Sequence, residues 1–214
     1  MADPHFTDDE QAQKLKEWWK QNGSSIIFGL VVGLGIVGGF NYWRGYTQTQ
    51  AEQASEWYER MLTEYAAKQL DNAETAGAKL MADHSGTPYA DKASLFLAKI
   101  SHERNDTASA KAQLQWALDH ASDEPTKHVA RLRLGRLLLA EDAFADVEAL
   151  LKVENAGRFA SEYKELEGDL RVAQDRAAEA RAAYQDALAA LPAESAYRDM
   201  LSIKLDSVSG AVGQ

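Results

Sequence analysis

Five histidines, His5, His84, His102, His120 and His128, are the side chains best suited to acid–base or metal chemistry near neutral pH. No two of them stand four apart with an acid between, the spacing that puts two imidazoles on one helix face around zinc. The densest cluster, His120 with Asp123, Glu124 and His128, straddles Pro125. A proline turn scatters side chains, so these four are expected to point into solvent. The acidic run Asp8-Asp9-Glu10 reads as a solvated tail. There is no cysteine, which removes disulfides, thiolate metal sites and cysteine nucleophiles. The glycines between 33 and 39 lack the Lys-Ser/Thr ending of a phosphate loop, and no Gly-x-Ser-x-Gly occurs. The expectation is a protein without catalytic residues, metal or cofactor.

With chemistry unsupported, the elements around it carry the reading. Residues 21–43 are uninterrupted by charge, and 26–46 read IIFGLVVGLGIVGGFNYWRGY. About 20 apolar helical residues cross a hydrocarbon core of roughly 30 Å. Trp18 and Trp19 precede the apolar part and Tyr42, Trp43 and Tyr46 follow it, as aromatic side chains do at headgroup level. A transmembrane anchor is expected over 24–46. A cleaved signal peptide fits poorly, because the first twenty residues mix five acids with three lysines. Gly29 and Gly33, and Gly35 and Gly39, are four apart, a spacing that lets a second helix approach closely, another copy of the chain included. Lys14, Lys16 and Lys20 on one side against Arg44 on the other tilt the orientation towards a cytoplasmic N-terminus. The C-terminal domain would then lie outside the cytoplasm.

The formal net charge is −10. From residue 47 onward 28 acids face 19 bases, a balance that argues against a nucleic-acid partner. Around the anchor the chain divides into a tail over 1–23 with a short interfacial helix, a stalk helix over 47–70, a helical domain over 71–208 and a loose end over 209–214. The stalk shows Ala51, Ala54, Trp57, Tyr58, Met61, Leu62 and Tyr65 three and four apart, the helical period.

Beyond it the pattern predicts helices over 72–84, 89–104, 108–120, 126–140, 145–152, 159–173, 177–191 and 194–208. Pro88, Pro125 and Pro192 fall at their boundaries. The helices form pairs that repeat. Ala98, Gly135 and Gly168 align; twelve residues on stand Ala110, Val147 and Ala180; sixteen on, Leu114, Leu151 and Tyr184; nineteen on, Ala117, Glu154 and Ala187. The period is 37 and then 33 residues, similar to the tetratricopeptide repeat. Small residues in the first two columns are expected where the helices of a pair touch, and the third column is expected to fill the groove to the next pair. The fold class is therefore all-α: one transmembrane helix followed by a tetratricopeptide-like α-solenoid. Such a solenoid presents a surface to protein partners. Among the aromatic side chains, Tyr89 and Tyr163 are the candidates to line it.

The order of parts resembles a known family. Leu15-Lys16-Glu17-Trp18-Trp19-Lys20-Gln21-Asn22-Gly23 precedes a glycine-rich span ending in Tyr42-Trp43-Arg44. An Ala/Gln-rich helix with Ala51, Ala54, Ser55 and Tyr58 and degenerate helix pairs follow. This resembles the YfgM family, the ancillary subunit of the bacterial SecYEG translocon. The resemblance implies a single-pass type II protein of the inner membrane with its repeat domain in the periplasm. It implies association with SecYEG and with a membrane-anchored periplasmic chaperone of the peptidyl-prolyl isomerase class. It also implies help in passing unfolded polypeptides to periplasmic chaperones. Scaffolding of another envelope assembly is the alternative.

Overall fold

A computed structural model describes residues 8–211, with side chains over 12–208. The expected features of residues 1–7 and 212–214, and His5 with them, lie outside the described residues. The chain divides into two compact units, Met1–Glu52 and Gln53–Gln214. That division falls inside the stretch read as a stalk.

The first helix, α1, runs Asp8–Ala66 without a break. The separate interfacial helix expected before the anchor is therefore absent as an element: Trp18 and Trp19 belong to α1 itself. No proline interrupts these residues, and glycines are tolerated because each backbone group still bonds within the segment. Within the first unit the apolar side chains face outward all round. Phe28 is 71 % exposed, Leu34 65 % and Ile36 67 %. A helix apolar on every side is stable in lipid and not in water. Among the described residues α1 is the one helix long and apolar enough to cross a membrane.

Among the described residues the second unit holds the end of α1 and eight further helices. These are α2 (Leu70–Asp83), α3 (Pro88–Glu103), α4 (Thr107–His120), α5 (Glu124–Ala140), α6 (Phe144–Leu150), α7 (Ala160–Ala173), α8 (Ala177–Ala190) and α9 (Arg198–Ala211). One 3-10 turn, Gly157–Phe159, leads into α7. No strand occurs among the described residues. The all-α repeat architecture expected from the sequence is borne out. Two ends differ. The last helix starts four residues later than its periodicity suggested, after turns in which Ser195 N–H bonds to Pro192 O and Arg198 N–H to Ser195 O. It then continues past Val208 to Ala211.

Within each pair the turn is the same object four times. Lys68, Asn105, Asp142 and Asp175 all have left-handed backbone, with φ of 61°, 61°, 57° and 58°. Around the first, Lys68 N–H donates to Tyr65 O and Gln69 N–H to Glu64 O, both at 2.9 Å. The same two bonds recur as Asn105 to His102 and Asp106 to Ser101, as Asp142 to Leu139 and Ala143 to Leu138, and as Asp175 to Val172 and Arg176 to Arg171. This double bond is the Schellman ending, which satisfies the last free carbonyls of a helix. It usually takes glycine at the left-handed position; Asn and Asp are the next best tolerated. Asn105, Asp142 and Asp175 each stand seven positions after a first-column residue, so these turns share the period of the core.

Between pairs the chain uses caps. Thr87 Oγ1 accepts from Ala90 N–H, and Asp123 from Thr126 N–H at 2.8 Å, with Pro88 and Pro125 in the first turns of α3 and α5. The buried Asp91 carboxylate on α3 accepts both the backbone N–H and the hydroxyl of Ser122, at 2.9 and 2.8 Å. That fixes the α4–α5 turn against α3.

Candidate functional site

Two surfaces could meet partners: the outward face of α1 in the first unit, and the face built by the first helices of successive pairs in the second. On α1, Gly29, Gly33, Gly35 and Gly39 have nothing within 4 Å of where a Cβ would sit. Trp18, Trp19, Tyr42 and Trp43 are all exposed. Asn22 Nδ2 donates to Trp18 O at 2.9 Å, and the Trp19 indole lies 3.1 Å from the Cβ position of Gly23. The Trp19 indole is thus packed on its own helix.

In the second unit the aligned columns are buried. Ala98, Ala110, Leu114, Ala117, Val147, Ala180, Tyr184 and Ala187 are in the core, and Gly135 and Gly168 are buried with them. Leu151 is half-buried just past the end of α6. Glu154 is exposed beyond the short α6, so the odd residue in its column lies outside any helix contact. The packing partners show what fills the space beside each glycine. Tyr184 does not only face the next helix: its ring lies on Gly168 of its own pair, where a Cβ would come within 2.4 Å of it. Gly135 lies closest to Leu166 of the following pair, at 2.6 Å from the Cβ position, with Leu150 of its own partner helix at 3.9 Å.

The same spacing extends further than the sequence suggested. Thirty-seven residues before Ala98, Ala110, Leu114 and Ala117 stand Met61, Ala73, Gly77 and Leu80, every one buried. Here the sizes are exchanged: the large residue is first and the glycine third. A Cβ on Gly77 would come within 2.8 Å of Met61 Sδ and of Leu97. Thirty-three residues after Gly168 stands the fully buried Leu201 of α9. The end of α1 with α2, then α3 with α4, α5 with α6 and α7 with α8 are four pairs, and α9 opens a fifth.

Tyr89 is half-buried beside Tyr58, ring centroids 5.9 Å apart, so part of it reaches the surface. Tyr163 is different from expectation. It is 6 % exposed, and its hydroxyl lies 2.8 Å from His128 Nδ1. His128 is also a correction: it is 8 % exposed rather than solvated, because Pro125 sits in the first turn of α5 and the helix carries His128 onto α7. Burial and the nearby Arg131 lower the His128 pKa against a smaller opposing pull from Glu124, and burial raises that of the Tyr163 phenol. Among the described residues no group of three or more acids and histidines is placed to hold a metal.

The face of α3, α5, α7 and α9 carries charges that the sequence reading did not single out. A cavity of about 250 Å³ opens between α3, α4 and α5, lined by Ala98, Leu114 and Leu137 and by Lys99, His102, Arg133 and Arg136. Next to it Glu165 of α7 is nearly enclosed. It accepts from Lys204 Nζ at 2.7 Å and from Tyr197 Oη at 2.8 Å, and pairs with Arg136 at 3.6 Å. Asp169 accepts from Lys204 Nζ at 2.7 and 2.8 Å and from Tyr184 Oη at 2.7 Å. Burial works to lower the Lys204 pKa, but the bonds to Asp169 and Glu165 outweigh it and the net shift is upward. Burial, then the bond to Glu165, pushes the Tyr197 phenol up to about 12. One signal for this face was available: Lys99, Arg136 and Asp169 each directly follow a first-column residue.

Comparison with known proteins covers almost all of this architecture. Three relatives named ancillary SecYEG translocon subunit, from Haemophilus influenzae, Escherichia coli and Neisseria gonorrhoeae, are each 28 % identical to the chain. The alignments span 84 %, 94 % and 95 % of this chain and 88 %, 97 % and 98 % of the relatives. They carry the name of the family that the sequence motifs resemble. A family model for a tetratricopeptide repeat-like domain matches residues 16–210, taking in the apolar helix and all the pairs, and the chain belongs to this family.

Proposed function

We propose that the chain is a non-catalytic, membrane-anchored interaction subunit that accompanies the SecYEG translocon and helps emerging polypeptides reach periplasmic chaperones. The observation that carries this is the joint match over anchor and repeats to relatives bearing the translocon-subunit name. Outward apolar side chains along α1 support a bilayer-embedded helix. The lysines before the span, Lys14, Lys16 and Lys20, favour an N-terminus in the cytoplasm and the repeat domain in the periplasm, a single-pass type II arrangement in the inner membrane. A membrane-anchored periplasmic isomerase-type chaperone is the second partner. Tethering supplies the mechanism: confinement at the membrane raises the effective concentration of the repeat surface, so weak contacts suffice.

The test is affinity purification from membranes in mild detergent with partners identified by mass spectrometry, together with protease accessibility in spheroplasts. SecYEG subunits and an isomerase-type chaperone, with the repeat domain cleaved from outside, are expected. Cytosolic partners alone, or a protected repeat domain, would overturn the reading.

A further inference from the structure

We propose that the cavity between α3, α4 and α5 docks a polypeptide segment carrying a carboxylate beside an apolar side chain. This rests on the reading of the repeat domain as a protein-interaction module and names the chemistry its surface selects. The floor is apolar: Ala98 and Leu114 are buried and Leu137 half-buried. At about 250 Å³ the space is below the roughly 300–1,000 Å³ of pockets for drug-sized ligands, a scale suited to one or two amino-acid side chains.

The rim is basic on both sides. Lys99 and His102 come from α3, Arg133 and Arg136 from α5, and all four are exposed. From residue 47 onward acids outnumber bases by nine, so this is a local reversal of the surface charge. Arg133 has capacity to spare. Among the described residues Arg133 makes no ion pair; its guanidinium donates to the Leu95 carbonyl at a long 3.4 Å. Lys99 and Arg136 hold Glu103 and Glu165 only loosely, at 3.8 and 3.6 Å. Arg133 and Arg136 stand on the same side of α5 as like charges, so an incoming carboxylate relieves a repulsion already present. Guanidinium groups take carboxylates through paired, charge-assisted hydrogen bonds, and an apolar neighbour side chain then fills the floor.

The pocket is tested on the purified full chain in detergent by fluorescence anisotropy with three labelled peptides: GLDLDLG, its charge-reversed form GLKLKLG, and GSDSDSG, which keeps the acids and drops the apolar side chains. GLDLDLG is expected to bind at least about tenfold more tightly than either, with affinity falling as salt screens the rim. Arg133→Glu is expected to abolish the preference and Arg133→Gln to reduce it, with helicity by circular dichroism unchanged because the residue is exposed. Equal binding of the reversed peptide, or an unaltered preference in Arg133→Gln, would overturn the proposal. Recovery of SecYEG subunits without any peptide preference would remove the pocket alone. Failure of both would remove the interaction-module reading as well.

Discussion

Two sets of glycines, one in each unit, do opposite work. In the first unit Gly29, Gly33, Gly35, Gly38, Gly39 and Gly45 have no neighbour within 4 Å of a Cβ position. In the second, Gly77, Gly135 and Gly168 each have a side chain within 3 Å of that position. One set leaves the helix surface open to whatever lies outside the chain. The other is already filled from within the fold, by Met61 and Leu97, by Leu166 and by Tyr184. The same residue type therefore reports an open surface on the apolar helix and a closed core in the repeat domain. Sequence spacing alone does not tell the two apart.

The largest effect is expected where large and small exchange places. Met61→Ala empties a fully buried site and should cost about 2–5 kcal/mol in thermal or urea unfolding of the full chain in detergent. Gly77→Met alone overpacks the same contact and should cost about 1–3 kcal/mol. Because the two residues touch, the double variant Met61→Gly, Gly77→Met should be more stable than the sum of its parts by about 1 kcal/mol or more. Simple additivity would mean that the first pair does not share the packing logic of the fourth. Next comes a direct contrast of glycines. Gly168→Ala drives a methyl into the Tyr184 ring and should cost about 1–3 kcal/mol, whereas Gly39→Ala should leave the unfolding of the repeat domain unchanged. A smaller effect has the opposite sign. Lys68 holds the left-handed position that Asn and Asp fill in the other turns, at a cost of about 1 kcal/mol, so Lys68→Gly should raise the melting temperature.

The mildest expectation concerns pH. Burial favours neutral His128 in the fold, so its contribution to stability is full above the ordinary histidine value of about 6.5 and declines as pH falls below it, where the unfolded chain takes up the proton first. Melting curves between neutral and mildly acidic pH should fall more for the native chain than for His128→Gln. An equal decline in both would place the pH sensitivity elsewhere.

Much of this was legible in the sequence. The uncharged run gave the membrane-type helix, and the aligned small residues gave the later pairs with their turns. What escaped did so for physical reasons. The first pair was hidden because a contact between a large and a small side chain is indifferent to which helix supplies which, while a column of small residues is not. His128 was misplaced because Pro125 was read as a break, although the first turn of a helix needs no donor there. Tyr163 was assigned to a surface because nothing in its neighbourhood announces a hydrogen-bond partner thirty-five residues away. The basic rim of the α3–α5 cavity was averaged out by an acidic whole. It becomes visible once Lys99 and Arg136 are placed on one face.

The open glycine face of α1 gives the most direct test of the account. A photo-reactive residue at position 39 in living cells should crosslink to a membrane subunit of SecYEG, and the same residue at position 187, in the closed core, should not. Crosslinks from position 39 to lipid alone, or to membrane proteins unrelated to the translocon, would contradict it.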